Sequence, residues 1–229
     1  SIIVRALDDE DKSFCESVMT TKEYIDKRNK TAKEIWLAEY QQQPVDMLGR
    51  MFADIKTINE IDFRKIHKQI EGCVAYVDVS DQGKDYTAVA VCGLIGDKLY
   101  VLDYLFSREN TDVTIPLTAS LMDKWNVSYC RVESNSMGAM FSRELQRRVK
   151  KTKMLQVHNS TNKMTRIIMQ SAFITQKMIF VTYENAQCRS FLDNVYTFSK
   201  EGKNKNDDAP DCLAGLSMFV QSMFKRLRY

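Results

Sequence analysis

The sequence predicts an α/β fold built on a mixed sheet, with three antiparallel strands followed by parallel βαβ units and helices on both faces. Three observations lead there. Short apolar runs separated by tight turns fill residues 73–106. From 113 to 197 apolar strands alternate with segments of helix length, the pattern of right-handed crossovers and parallel pairing. The composition, 44% hydrophobic and 28% charged over 229 residues, suits a chain that buries a core.

Taken in order, residues 1–70 differ from the rest. "DKSFCESVMTTKEYIDKRNKTAKEIWLAEYQQ" is highly charged, with Ile35, Trp36 and Tyr40 at helical spacing. The region reads as an N-terminal arm of helices and linker with little core of its own. At 71–229 the pattern becomes that of a folded domain. "CVAYVDVS" (73–80) is a short apolar strand, and "QGK" is a turn. "DYTAVAVCGLI" (85–95) is a second strand, "GD" (96–97) a tight hairpin signal and "KLYVLDYLF" (98–106) a third strand. A helix over 113–125, the strand "SYCRVES", a helix over 137–150 and the strand "KMLQVH" follow. Next come a helix over 162–174, the strand "KMIFVTY", a helix over 184–197, the polar loop "SKEGKNKN" and a last apolar helix. The fourth strand is expected beside the first and parallel to it, which makes a crevice at their ends a favoured ligand site.

Charge and cysteines narrow the function only slightly. A formal net charge of +3 identifies no partner. The six cysteines include no CxxC pair, which argues against a zinc site and fits a reducing compartment. No apolar run approaches the roughly 18 residues of a membrane helix, and no secretory signal opens the chain. The start without an initiator Met reads as a piece of a longer protein.

The carboxylates carry more information. Asp78 interrupts an apolar strand, which is costly unless it is paired, bound to metal or bonded to loop amides at the strand end. Glu133 ends the fourth strand and faces the same crevice, or pairs with a base such as Arg131. "NDDAPD" (206–211) puts Asp208 and Asp211 on one face of a helix start. Acidic residues cap helices there, but one carboxylate suffices for that and this turn carries up to three. Asp207 is the candidate pure cap. Together these groups form an all-oxygen donor set suited to Mg²⁺ or Mn²⁺, and a pair of such ions roughly 3.5–4 Å apart supports phosphodiester cleavage. Asp81 and Asp85 are possible extra ligands, or turn chemistry.

"YVDVSDQGKDYTAVAV", "CRVESNSMGAMF", "HNSTNKMTRI" and "KNDDAPDCLAGL" resemble, in order and spacing, the nuclease domain of bacteriophage terminase large subunits, over about residues 73–220. "WLAEYQQQPVDMLGRMF" (36–52) is similar to the segment joining that family's ATPase domain to its nuclease domain. The resemblance implies an RNase H-like fold and a two-metal endonuclease that cuts concatemeric double-stranded viral DNA during packaging. It implies two Mg²⁺ or Mn²⁺ ions, with Asp78, Glu133 and Asp211 as catalytic metal ligands and Asp208 at a position where some members carry a further ligand. The implied partners are double-stranded DNA, the ATPase domain of the full-length protein, the portal and the small terminase subunit, with no membrane. The implied location is the cytoplasm of an infected bacterial host. The sequence holds no GxxxxGK[ST] phosphate-binding pattern, so no ATP hydrolysis is expected of it alone, and residues 1–70 are expected to be the tail of a motor domain.

For DNA contact the better candidates are Lys163 and Arg166 near a helix start, then Lys203 and Lys205 in the loop leading to the acidic motif. Arg143, Arg147, Arg148, Lys150, Lys151 and Lys153 form a basic stretch that is equally a solvated helix surface. Three functional readings stay open at this stage: a metal-dependent endonuclease, a DNA-gripping or portal-docking module, and a related resolvase or transposase-type nuclease.

Overall fold

Lys56–Asn59 (β1), Gly72–Asp78 (β2), Thr87–Ile95 (β3), Lys98–Ser107 (β4), Tyr129–Glu133 (β5), Lys153–Val157 (β6) and Met178–Thr182 (β7) form one sheet in the order β1-β7-β4-β3-β2-β5-β6. The computed structural model describes residues 4–8, 10–30, 36, 40–41, 49–80, 85–133, 136–158, 161–200, 204 and 206–224. Its helices are α1 (Thr21–Lys30), α2 (Glu60–Ile66), α3 (Thr111–Lys124), α4 (Ser136–Arg148), α5 (Lys163–Lys177), α6 (Ala186–Thr197) and α7 (Asp208–Met223).

The chain divides into two compact units, Ser1–Leu48 and Gly49–Tyr229. In the first, Thr20 and Glu23 form a reciprocal capping box at the start of α1. Trp36 is buried and stacks on Tyr40 at 4.8 Å between centroids, with Tyr24 edge-on to both. The boundary expected after residue 70 falls inside the second unit. Residues 49–70 supply that unit with edge strand β1, helix α2 and the buried side chains Phe52, Ile55 and Phe63.

The expected meander is β2-β3-β4, and among the described residues β3 is the sheet's sole reversed strand: every other pairing between its strands is parallel. The hairpin between β3 and β4 turns at Gly96, whose φ of +61° is a conformation that L side chains rarely adopt. β5 lies beside β2 and parallel to it, as the sequence implied. α5 then carries the chain from β6 to the other side of the sheet, where β7 pairs with β4 and β1. β1 escaped the sequence reading because "KTIN" is short, polar and largely exposed.

Alternation along β2 feeds two cores. Val74 and Tyr76 point into one, closed by α5, α6 and α7. Cys73, Ala75 and Val77 point into the other, closed by α2, α3 and α4. Asn162 and Asn185 cap α5 and α6 by accepting from Thr165 N and Cys188 N. α7 approaches β2 so closely that a Cβ on Gly215 would run into the ring of Tyr76.

A register shift opposite Val91 and Cys92 leaves Leu102 without a ladder partner. Tyr183 Oη donates to the Leu102 carbonyl at 2.7 Å. The neighbouring carboxylate, Asp103, accepts from Lys124 Nζ at 2.6 Å, Trp125 Nε1 at 2.9 Å and Tyr104 N at 3.0 Å. Asp103→Leu strips these donors of their acceptor and is expected to cost about 1–3 kcal/mol in urea denaturation.

Candidate metal centre

The parity of β2 decides which way its carboxylate points. Val74 and Tyr76 face α7, so Asp78, two residues on, faces it too. On β5, Cys130 and Val132 face the opposite core, which sends Glu133 to the same side as Asp78. The parallel register pairs Val77 with Val132 and so sets the two carboxylates side by side at the ends of their strands.

Two helix starts meet this rim. Asp208 opens α7 and Asp211 lies one turn on. Lys163 opens α5 and Arg166 lies one turn on. The acidic pair therefore faces a basic pair at the same spacing. One carboxylate oxygen each from Asp78, Glu133 and Asp211 all lie within 4.8 Å of one another. They line a cavity of about 300 Å³ shared with Asp208, Lys163 and Arg166.

Both oxygens of Asp211 are held by Arg166. Nη2 reaches them at 2.5 and 2.6 Å, and Nε adds a bond of 2.8 Å. Arg166 also approaches Glu133 at 3.6 Å, and only 5% of it is exposed. Lys163 Nζ lies 2.8 Å from Asp207, 3.1 Å from Asp208 and 3.7 Å from Asp211. Asp208 accepts from Tyr86 N at 3.1 Å through its other oxygen, which ties the start of α7 to the start of β3.

Burial lifts the Asp78 carboxyl well above its ordinary value, and the charges of Asp211, Glu133 and Asp208 add to this against the pull of Lys163. Burial also raises Asp211, opposed by Arg166 and Lys163; with both its oxygens gripped by the guanidinium, the ionised pair is the state the geometry describes. Burial disfavours the Lys163 ammonium, but the surrounding carboxylates, Asp78 first, outweigh it and raise its pKa. Among the described residues, six carboxylates (Asp78, Asp85, Glu133, Asp207, Asp208 and Asp211) face two cations here. This acidic, all-oxygen donor set, in which burial opposes the ionised forms of Asp78 and Asp211, fits a hard divalent cation.

The expected site residues thus come together in large part. Asp78, Glu133 and Asp211 converge. Asp208 lines the same cavity but turns its oxygens to Lys163 and Tyr86 N. Asp85 is exposed at the lip. Asp207 occupies the N-cap position of α7, yet its side chain makes no capping bond and reaches Lys163 instead. Asn194 accepts from Ala209 N in its place, at 3.1 Å. Lys163 and Arg166, expected to contact DNA, sit inside the acidic cluster. A basic residue opening a helix opposes the helix dipole, and that local anomaly was the sequence signal for their carboxylate partners. Lys203, Lys205 and Asp81 lie outside the described residues. Arg143, Arg147, Arg148, Lys150, Lys151 and Lys153 are all exposed, with Arg147 paired to Glu144 at 2.6 Å.

Comparison with known proteins gives a consistent picture. Residues 77–178 match the family model "Terminase Bacteriophage T7, Ribonuclease H-like domain". That span contains Asp78, Glu133, Lys163 and Arg166 and stops short of α7. No curated protein matches the sequence. Among solved structures, the large terminase of a thermophilic bacteriophage superposes with a TM-score of 0.51 at 10% identity, over 90% of this chain and 53% of that one. The chain thus spans about half the length of that terminase. The human cytomegalovirus terminase nuclease domain superposes with a TM-score of 0.51 at 11% identity, over 77% of this chain and 94% of that one. A manganese-soaked form of that domain gives 0.50 at 11% identity, over 77% and 94%. At these identities the likeness is one of fold, and the fold is RNase H-like.

Proposed function

We propose, from the premise that this chain carries the RNase H-like domain of the terminase family over residues 77–178, that it is the metal-dependent endonuclease of a viral DNA-packaging terminase. The observation that carries the reading is the convergence of Asp78, Glu133 and Asp211 within 4.8 Å at the rim of the sheet. A cytomegalovirus neighbour was soaked with manganese, and an oxygen-only donor set suits Mn²⁺ and Mg²⁺ alike as hard cations.

In this reading Asp78, Glu133 and Asp211 hold two ions, with Asp208 beside them. The ions supply neutralisation of the phosphoryl charge and a lowered pKa for the attacking water. The chain's own groups do the rest. Arg166 fixes the Asp211 carboxylate, and the amide of Tyr86 fixes Asp208. Among the described residues, Lys163 and Arg166 are the cations that line the cavity, where they would offset charge developing on phosphorus. Water is the nucleophile and the 3′ oxygen is the leaving group, so the products carry a 5′ phosphate and a 3′ hydroxyl, and no side chain becomes covalently attached. Double-stranded DNA is the substrate, and the ATPase domain of a longer protein, the portal and the small terminase subunit are partners in the same reading.

The test is supercoiled plasmid incubated with the protein in Mg²⁺, in Mn²⁺ and in EDTA. Nicking and linearisation that require the divalent ion support the reading. Intact plasmid in both metals, or cleavage that persists in EDTA, sinks it.

A second reading, a DNA-gripping module, is favoured by the exposed basic stretch 143–153. It predicts binding that survives loss of the carboxylates. The double variant Arg148→Ala, Lys151→Ala is expected to flatten the slope of log affinity against log salt by about 2 units, measured by fluorescence anisotropy on random-sequence duplex.

A further inference from the structure

Lys163 and Arg166 neutralise the same cluster in different ways. Arg166 is 5% exposed, clamped on both oxygens of Asp211, and directed at 3.5 Å to the carbonyl of Thr161. It is part of the frame. The Lys163 side chain is 35% exposed and reaches three carboxylates through one flexible stem, at 2.8, 3.1 and 3.7 Å. It is also the first residue of α5, where the helix dipole repels a cation. The carboxylates hold it there against its own helix. A compact, strongly hydrated ammonium on a four-carbon stem is also the easier of the two cations to return to water.

We infer that Lys163 is a tethered counter-cation, which stands among the carboxylates in place of a divalent ion and is released when one binds. This rests on the metal-centre reading above and adds to it a competition within the chain. An incoming ion must displace the ammonium from Asp208 and Asp211, so the lysine sets how much free metal is needed to load the site. Arg166 stays in place and keeps Asp211 oriented through the exchange.

Calorimetric titration with Mn²⁺, without DNA, tests this on wild type, Lys163→Met and Lys163→Arg. Removing the unit charge is expected to tighten Mn²⁺ binding at least about fivefold. The charge-retaining Lys163→Arg is expected to bind no more tightly than wild type, because a guanidinium leaves carboxylates less readily than an ammonium. Equal or weaker binding by Lys163→Met overturns the inference while leaving the metal centre intact. Absence of Mn²⁺ binding by every protein overturns both. Should Lys163→Met fail to fold, labelling of wild type with an amine-acylating reagent gives the answer. Modification of Lys163 several-fold faster in Mg²⁺ than in EDTA supports release, and an equal or slower rate overturns it.

Discussion

Asp211→Ala is expected to lower plasmid cleavage at least about a thousandfold, equivalent to roughly 4 kcal/mol of transition-state stabilisation. It is also expected to destabilise the metal-free protein by about 3–5 kcal/mol, because Arg166 loses the partner that neutralises it in a buried position. Asp78→Asn is expected to match the loss of cleavage with the opposite effect on stability. Burial and neighbouring carboxylates disfavour the charged form of Asp78, so a neutral isostere leaves the metal-free fold at least as stable as wild type. The pH dependence follows with a definite sign. A carboxyl whose pKa is raised on folding holds its proton to a higher pH than the unfolded chain does. Its stabilising contribution is full below the ordinary aspartate range and is lost as pH rises through the raised folded value. Asp78→Asn removes that component in EDTA. Plasmid assays and urea denaturation on the two variants separate the roles. Equal destabilisation by both substitutions would contradict Asp211 as the principal partner of Arg166.

Gly215→Ala is expected to lower stability by about 2–3 kcal/mol although alanine favours a helix by roughly 1 kcal/mol over glycine. The new methyl meets the ring of Tyr76 and has no room, so α7 must move off β2. Asp211 stands one turn before Gly215 on that helix, and cleavage is therefore expected to fall with stability. The clash names its own remedy. In Gly215→Ala, Tyr76→Leu the shorter side chain vacates the contact, and the double variant is expected to be more stable than the sum of two independent losses. A strictly additive cycle in guanidinium denaturation would locate the cost of Gly215→Ala elsewhere.

Much of this was legible in the residues. Strands β2, β3 and β4 announce themselves because central strands read as apolar runs and their turns are short. Asp78 and Glu133 stand out because a carboxylate at the end of such a run is expensive without a partner. Asp208 and Asp211 stand out by excess, since a helix start needs one acid. What the residues did not disclose was set by tertiary context. β1 is a polar edge strand of four residues, held by β7 from more than a hundred residues away. Asp207 surrendered the capping role to Asn194, a residue of another helix. Lys163 and Arg166 carry the chemistry of phosphate binders, and only the approach of α7 to α5 shows which anions they meet.

The candidate centre is assembled from the ends of two strands and the beginnings of two helices, and its final carboxylate in chain order arrives on α7. During synthesis on a ribosome, the strands bearing Asp78 and Glu133 emerge long before residue 211 does. A nascent chain, or one truncated before α7, lacks both Asp211 and the helix that closes the main core. The proposed donor set is thus incomplete until residue 211 has been made, and any product that ends before it carries only the two strand carboxylates of that set.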